Sequence, residues 1–417
     1  MKRLLEGARL LDPIGGVDRV GDLLIEHGRV AAIDPGPVDA QRVDLSGHVV
    51  TPGFFDLSAN LRDPGRTWLE GLEAGAAAAA AGGFTTVLLN PAVDPVTDDP
   101  SRVRELLERS TGLPVELAVA GAITVGLAGR DLAEVGRMAE AGACAFSDGG
   151  RVHDDALVLR HALLYLRPLG RPVLVRGGDP TLEAAGVMHD GEVATRIGLR
   201  GIPVAGEELA IARLGALAND TGCSVHVTGV TTARGVAMLR HVRAQGAPVS
   251  ASTIALHTLL TDQAVCDTVY DSATRLVPPL RSASDRAALV AALEDGSLCA
   301  AASWHEPLSR VEKELEFELA EPGAIGLETA LSALVAGTGR LETAVRALTG
   351  GAQVLRREHG LAPGCSADLA VLDPEAEWTV GEVPLASRSS NTPLWGRSLP
   401  VVVRATLHRG EVVHGAL

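Results

Sequence analysis

Apolar and polar positions divide the chain into a long alternating middle and two β-rich ends. From about residue 52 to 355, short apolar runs alternate with stretches of helical periodicity, which indicates βα units around a parallel sheet. Residues 68–81 predict a helix whose small side chains allow close packing. The predicted strands are eight, the number of a (β/α)8 barrel, and cover residues 54–61, 84–89, 115–121, 143–147, 172–175, 224–227, 248–252 and 298–303.

The two ends of the chain read as short strands and turns. Residues 22–33 predict a hairpin that turns at His27–Gly28, and residues 401–413 predict another that turns at Arg409–Gly410. We therefore predict an α/β protein with a (β/α)8 TIM barrel at 52–355. A small β-sandwich domain would be formed by both termini, from residues 1–51 and 356–417.

Composition narrows the class of protein. The 417 residues carry a net charge of -15 without any basic cluster, which excludes a nucleic-acid-binding surface. No apolar run is long enough to span a membrane, and the first residues lack the apolar segment of a secretion signal. The five cysteines are dispersed and form no C-x-x-C pair, as in reduced cytosolic proteins. We expect a cytoplasmic protein.

Several sequence blocks carry a family resemblance. Residues 51–65, Thr-Pro-Gly-Phe-Phe-Asp-Leu-Ser-Ala-Asn-Leu-Arg-Asp-Pro-Gly, resemble the first barrel strand of the cyclic amidohydrolases, and most closely of the dihydroorotases. The other blocks that are similar to this family lie at 85–95, 145–150, 278–281, 323–330 and 367–373. The resemblance covers nearly the whole chain and implies a TIM barrel of the amidohydrolase type.

The resemblance also implies a chemistry, the reversible closure of a cyclic amide. In that family zinc lowers the pKa of a bound water and polarises the carbonyl, while a carboxylate moves the proton. The family's metal ligands and catalytic aspartate lie at strand ends. The residues that match those places here are Ser58, Asn60, Asp148, Arg176, Gly229 and Trp304.

Among the six residues, only Asp148 is of the type that the family has at the matching place. Ser58 and Asn60 replace a His-x-His pair and are neutral, weak donors to zinc. The carbamylated lysine of related amidohydrolases is excluded, because Lys2 and Lys313 both lie outside the predicted strands. We therefore expect no catalytic residue, no metal and no cofactor, the ancestral zinc site having been lost. Arg62 matches the family's carboxylate-binding arginine and is a candidate anion contact.

Other interpretations of single residues stay open. His226, His257 and His305 lie near strand ends and could form a new metal site, or each could be a hydrogen-bonded core residue. Asp148 could pair with Arg176 or be solvated. The Trp304 ring could fill the emptied cavity or offer a stacking surface to a ligand. Asp56 matches a position that the family uses structurally.

The functional expectation follows from the resemblance. Inactive relatives of the family partner aspartate transcarbamoylase in pyrimidine synthesis. We expect a non-catalytic dihydroorotase homologue that associates with this enzyme and with itself. One alternative is an active amidohydrolase with a rearranged site, which would interconvert dihydroorotate and N-carbamoyl-aspartate. Another is a sensor that binds a small anion without turnover.

Overall fold

The computed structural model describes residues 2–153 and 155–417. The strands of these residues, in chain order, are β1 (Lys2–Asp12), β2 (Val17–Glu26), β3 (Arg29–Ile33), β4 (Gln41–Asp44), β5 (Val49–Pro52), β6 (Phe54–Ala59), β7 (Phe84–Leu89), β8 (Glu116–Gly121), β9 (Ala145–Ser147), β10 (Val173–Arg176), β11 (Met188–His189), β12 (Gly201–Ile202), β13 (Val225–Thr228), β14 (Val249–Ile254), β15 (Ala300–Ala302), β16 (Leu369–Thr379), β17 (Ser398–His408) and β18 (Glu411–Gly415).

The helices lie mostly between the barrel strands. In chain order they are α1 (Leu72–Ala81), α2 (Pro100–Arg109), α3 (Val135–Ala141), α4 (Ala156–Leu166), α5 (Pro180–Glu183), α6 (Glu192–Ile197), α7 (Ala205–Thr221), α8 (Ala233–Ala244), α9 (Gln263–Asp267), α10 (Ala283–Glu294), α11 (Arg310–Lys313), α12 (Ala330–Thr338), α13 (Leu341–Thr349) and α14 (Gly351–Val354). No helix of the described residues is both long and apolar enough to cross a membrane.

Eight parallel strands form the barrel, in the order β15-β14-β13-β10-β9-β8-β7-β6. The ring closes where β6 meets the chain after β15: Ala59 and His305 form a parallel bridge, and the Asn60 amide donates to the His305 carbonyl at 2.9 Å. The prediction of a (β/α)8 barrel is confirmed. All eight predicted runs are strands because each is a short, continuous apolar segment, as strands buried on both faces require.

The termini build a second, separate sheet of eight strands, in the order β18-β17-β16-β5-β1-β2-β3, with β4 paired to β1. Both predicted hairpins are present, β2 with β3 and β17 with β18. The sheet has a core of its own, which includes Leu5, Leu23, Leu369 and Leu407 from both ends of the chain. The predicted β-domain is therefore present, while the domain boundaries at 51 and 356 stay predictions.

The first helix starts later than its sequence pattern predicts. The prediction was 68–81, and α1 begins at Leu72. Gly71 precedes it with φ 84°, a left-handed conformation that a helix cannot include. The small side chains do allow close packing as expected, because Ala76, Ala78 and Ala79 are fully buried.

Candidate functional site

The carboxyl ends of the barrel strands surround a cavity of about 320 Å³. Side chains that line it include Ser58, Asn60, Arg62, Asp148, Trp304 and Glu306. Five of these six are positions that the sequence marks as candidate site residues. The structure thus brings Ser58, Asn60, Asp148 and Trp304 together with Arg62 at the mouth of the barrel, where the chemistry of such barrels takes place. The other two predicted positions, Arg176 and Gly229, do not line this cavity.

Asn60 holds the turn that leaves the first barrel strand. Its amide nitrogen donates to the Ala92 carbonyl at 3.1 Å and to Glu306 Oε1 at 3.3 Å. Its Oδ1 accepts the backbone N–H of Arg62 at 2.9 Å. Both ends of the buried amide therefore have protein partners.

Asp148 is buried and anchors a neighbouring loop. Its Oδ1 accepts the backbone N–H groups of Ile123 and Thr124 at 2.7 and 3.0 Å. Its Oδ2 accepts the Thr124 hydroxyl at 2.5 Å and lies 3.1 Å from Nε2 of His153. The carboxylate is neither solvated nor paired with Arg176, so both interpretations drawn from the sequence are wrong. Protein donors at short range compete successfully with a more distant guanidinium.

Arg176, at the end of β10, is paired with Glu183 on α5. Its Nη1 donates to Glu183 Oε1 at 3.2 Å, Nη2 donates to Oε2, and Nε donates to the Gly150 carbonyl at 2.7 Å. The arginine is buried, so this two-pronged pairing is what offsets its charge. Sequence reasoning missed Glu183, although an acid placed seven residues on, across the Asp179–Pro180 helix start, is a usable signal.

Trp304, which the sequence resemblance matches to the family's catalytic aspartate, is held by a hydrogen bond to the backbone. Its indole N–H donates to the Val277 carbonyl at 2.9 Å. A Cβ built on Gly229 would lie 3.0 Å from Cη2 of the indole, so the ring fills the space that a side chain at residue 229 would need. Trp304 has φ 55° and Gly229 has φ 67°. The ring is half-buried and also lines the cavity.

Arg62 and Glu306 form an ion pair at the rim. Arg62 Nη2 contacts Glu306 Oε1, and Arg62 Nε donates to the Pro307 carbonyl at 3.0 Å. Burial raises the pKa of the Glu306 carboxyl, and the Arg62 charge acts in the opposite direction. Sequence reasoning missed Glu306. The role of Arg62 as an anion contact stays a prediction, and such an anion would compete with Glu306.

The three histidines near the strand ends do not converge. His226 lies between the hydroxyls of Ser250 and Ser252, at 2.8 and 2.9 Å. His257 Nε2 faces the carbonyls of Pro278 and Pro279. Within residues 2–153 and 155–417, no three His, Cys, Asp or Glu side chains are grouped to hold a metal. The three-histidine metal site is therefore not formed.

Burial also sets the charge of two of these rings. It lowers the pKa of His226 to about 3 and that of His257 to about 4, so both are neutral at pH 7.

Asp56 accepts the backbone N–H and the hydroxyl of Ser303, each at 2.7 Å. This is the structural role expected of Asp56.

The barrel with a second sheet built from both termini is the fold of the amidohydrolase class. The chain is similar over its whole length to L-hydantoinase (dihydropyrimidinase) from Arthrobacter aurescens, with a TM-score of 0.87, 24% identity, and coverage of 99% of this chain and 96% of that one. Residues 47–234 match the family model described as dihydro-orotase-like.

The most informative relatives are proteins named dihydroorotase. The dihydroorotase of Anaeromyxobacter dehalogenans (strain 2CP-C) is 40% identical over 420 residues, which cover 98% of this chain and 97% of the relative. The dihydroorotase of Mycobacterium tuberculosis (strain ATCC 25618 / H37Rv) is 41% identical over 429 residues, with 99% and 98% covered. The chain belongs to the dihydroorotase-like family.

Family membership corrects one prediction. We expected no cofactor and a lost zinc site, and this is contradicted by full-length identity of about 40% to proteins named dihydroorotase. Zinc is the cofactor implied for this family, so membership makes zinc the expectation and gives no support to its loss.

The residues at the matching places do not themselves fit a zinc ion in the family's manner. Both Asp148 oxygens are taken by protein donors, Arg176 brings a positive charge, and Gly229 has no side chain. Zinc prefers imidazole, thiolate and carboxylate donors. In the described part of the chain, the family expectation and the local donor set therefore disagree.

Proposed function

We propose that this dihydroorotase-like chain does not turn over dihydroorotate and acts as a structural or regulatory subunit that associates with aspartate transcarbamoylase. The observation that carries the proposal is Trp304, whose indole packs against Gly229 and donates to the Val277 carbonyl. The family resemblance matches this residue to the catalytic carboxylate. An indole N–H is a donor only and cannot accept the proton that amide closure releases.

Neighbouring groups do not take over the task of the missing base. The Asp148 carboxylate accepts three hydrogen bonds that fix a loop, and Glu306 is paired with Arg62 and Asn60. A general base must reach the reacting proton within about 2.6–3.2 Å, or through one water, with a free lone pair. Turning either acid to that task would leave its present donors unsatisfied at a cost of about 1–3 kcal/mol each.

The preserved fold supports a role for the surface of the protein. Identity of about 40% extends over 98% of the chain, while the strand-end groups at the mouth differ from the family's ligand set. A role that depends on the fold and not on the reactive groups, such as binding to a partner, fits this combination. The transcarbamoylase enters through the family resemblance, in which inactive relatives accompany that enzyme.

Two measurements on the purified chain test the proposal. Dihydroorotate formation and hydrolysis are assayed at high protein concentration with and without added zinc, and zinc content is measured on the same samples. The dihydroorotase of M. tuberculosis serves as the active control. We expect no turnover in either condition and co-elution with the transcarbamoylase in size-exclusion chromatography. Turnover, or separate elution at micromolar concentrations, would contradict the proposal.

A sensor of small anions is a second candidate, favoured by the cavity of about 320 Å³ that remains beside Trp304. The guanidinium of Arg151 lines it and donates at 3.4 Å to the Ala128 carbonyl. Binding at 100 times the dissociation constant would stabilise the fold by about 2.7 kcal/mol. A rise in melting temperature with dihydroorotate or N-carbamoyl-aspartate, without product, supports this function, and an unchanged melting temperature argues against it.

A further inference from the structure

Two surface segments beside the barrel mouth, residues 265–275 and 309–321, are joined by hydrogen bonds. The Ser272 hydroxyl donates to the Lys313 carbonyl, and Arg275 Nη1 donates to the Phe317 carbonyl at 3.0 Å. The Lys313 ammonium in turn donates to the carbonyls of Glu321 and Gly323 at 2.9 and 3.2 Å. The two segments therefore form one continuous surface.

This surface exposes large apolar side chains. We name them the apolar cluster: Val269, Tyr270, Val311, Leu315 and Leu319. Val269 is 79% exposed, Val311 78% and Leu319 66%. Singly exposed apolar residues are ordinary, whereas these five fall on two segments that hydrogen bonds join, as a protein-binding surface would require.

Backbone strain accompanies the exposure. Val269 has φ 54° and Tyr270 has φ 63°. A β-branched residue at positive φ is a true outlier and costs about 1–3 kcal/mol. Backbone hydrogen bonds hold it in place, from Val269 to Cys266 at 3.0 Å and from Tyr270 to Val265 at 2.9 Å. The turn thus holds the Val269 side chain in solvent, where it is 79% exposed and free to contact a partner.

The rim of the apolar cluster is acidic. Its exposed carboxylates are Asp267, Asp271, Glu314, Glu316, Glu318 and Glu321. Opposing charges come from Arg310, 3.6 Å from Glu314, and Arg200, 3.5 Å from Glu318. A second copy would bring an equally acidic rim and a further net charge of -15. Like charges across an interface are costly, so the complementary partner has an apolar centre and a basic rim.

We infer that the apolar cluster is the docking surface for a protein partner of this chemistry. The inference rests on the proposed function, in which the partner is aspartate transcarbamoylase. The interface would bury the cluster at its centre and leave the carboxylates at its wet rim, the usual anatomy of such contacts. The rim would speed association at low salt, and the centre would set the rate of dissociation.

The test is a pair of matched variants of the full chain, measured for binding to the purified aspartate transcarbamoylase of the same organism. Val311→Asp with Leu319→Asp places charge in the centre of the cluster. As a control, Val20→Asp makes a single substitution of the same kind at a valine that is 71% exposed on β2. Because all three side chains are exposed, both variants should keep the melting temperature of the wild type. We expect binding to weaken at least about tenfold in the first variant and to stay unchanged in the second.

The rim is tested separately. Glu316→Lys should weaken binding mainly through slower association, and its effect should shrink as the salt concentration rises.

Each remaining outcome overturns the inference in a different way. If the wild type binds the transcarbamoylase and the Val311→Asp, Leu319→Asp variant binds equally well, the partner docks elsewhere and the proposed function survives. If the wild type does not bind at all, both the inference and the proposed function fail. If the wild type dimerises and the same variant turns it into a monomer, the occupant is a second copy, and the assignment to a basic partner is wrong.

Discussion

The indole of Trp304 and the backbone of Gly229 share one space at the mouth of the barrel, since a Cβ on residue 229 would lie 3.0 Å from the ring. The sequence resemblance matches these two residues to the family's catalytic aspartate and to one of its ligand histidines. The two departures from the family pattern are therefore coupled, because the indole fits only if residue 229 has no side chain.

This coupling predicts the effect of Gly229→Ala. The new methyl group would press on the indole, and φ 67° is strained for alanine, so the free energy of unfolding should fall by about 1–3 kcal/mol. Combining it with Trp304→Ala should remove the part of the cost due to the ring, which a double-mutant cycle in urea measures. Gly136→Ala is the control, because a Cβ there meets nothing within 4 Å. Purely additive effects would show that the two residues are independent.

The Arg176–Glu183 pair predicts a second stability effect. Glu183→Gln would leave a buried guanidinium without its counter-charge and should destabilise the fold by up to about 3 kcal/mol in chemical denaturation. Glu134→Gln, which breaks a pair between two largely exposed side chains, should change stability by no more than about 0.5 kcal/mol. Equal effects of both changes would contradict a buried, partnered arginine at the end of β10.

The hydrogen bonds of Asp148 predict that its replacement lowers the free energy of unfolding by a similar amount. In Asp148→Asn one acceptor oxygen becomes a donor NH₂, which would face groups that already donate, from Ile123 and Thr124. We expect a loss of about 1–3 kcal/mol and faster hydrogen exchange at the amides of residues 123 and 124. Unchanged exchange would show that the carboxylate does not hold this loop.

The buried histidines predict a pH dependence of stability. The pKa of His226 is lowered to about 3 and that of His257 to about 4 by burial, while in the unfolded chain both titrate near 6.5. Below pH 6.5 the unfolded state binds more protons than the folded state, so the free energy of unfolding is highest above that pH and falls as the pH drops towards 4. At pH 5 each buried ring should lower the free energy of unfolding by roughly 2 kcal/mol.

A histidine substitution checks this assignment. His226→Gln keeps hydrogen-bonding capacity for Ser250 and Ser252, and should flatten the fall in unfolding free energy between pH 6.5 and 5. His241→Gln, on the exposed side of α8, should leave that slope unchanged. A slope unaffected by His226→Gln would mean that this ring is protonated in the native state.

Sequence predicted the fold well where local pattern decides it. The barrel strands are continuous apolar runs, and turns such as Arg409–Gly410 mark the hairpins. The start of α1 was missed because helical periodicity does not reveal the left-handed Gly71. The family resemblance also pointed to Ser58, Asn60, Arg62, Asp148 and Trp304, which line one cavity, but Arg176 and Gly229 lie outside it.

Pairing between side chains was beyond the reach of sequence. Arg62 meets Glu306 only because the ring closes between β6 and the chain after β15. Arg176 pairs with Glu183 and not with Asp148, because Asp148 already accepts hydrogen bonds from Ile123 and Thr124. The expected loss of the cofactor failed for a different reason: the residues at a few strand ends were given more weight than the similarity of the whole chain to dihydroorotases.

The most direct test of the central claim is a single-turnover experiment. The zinc-loaded chain, its metal content measured, is held in excess over dihydroorotate and N-carbamoyl-aspartate in turn, and product is followed over hours. We predict the same conversion as in buffer, because Trp304 leaves no base at the reacting centre. Zinc-dependent conversion that is lost in Asp148→Asn would contradict the account and show that the barrel mouth is an active site.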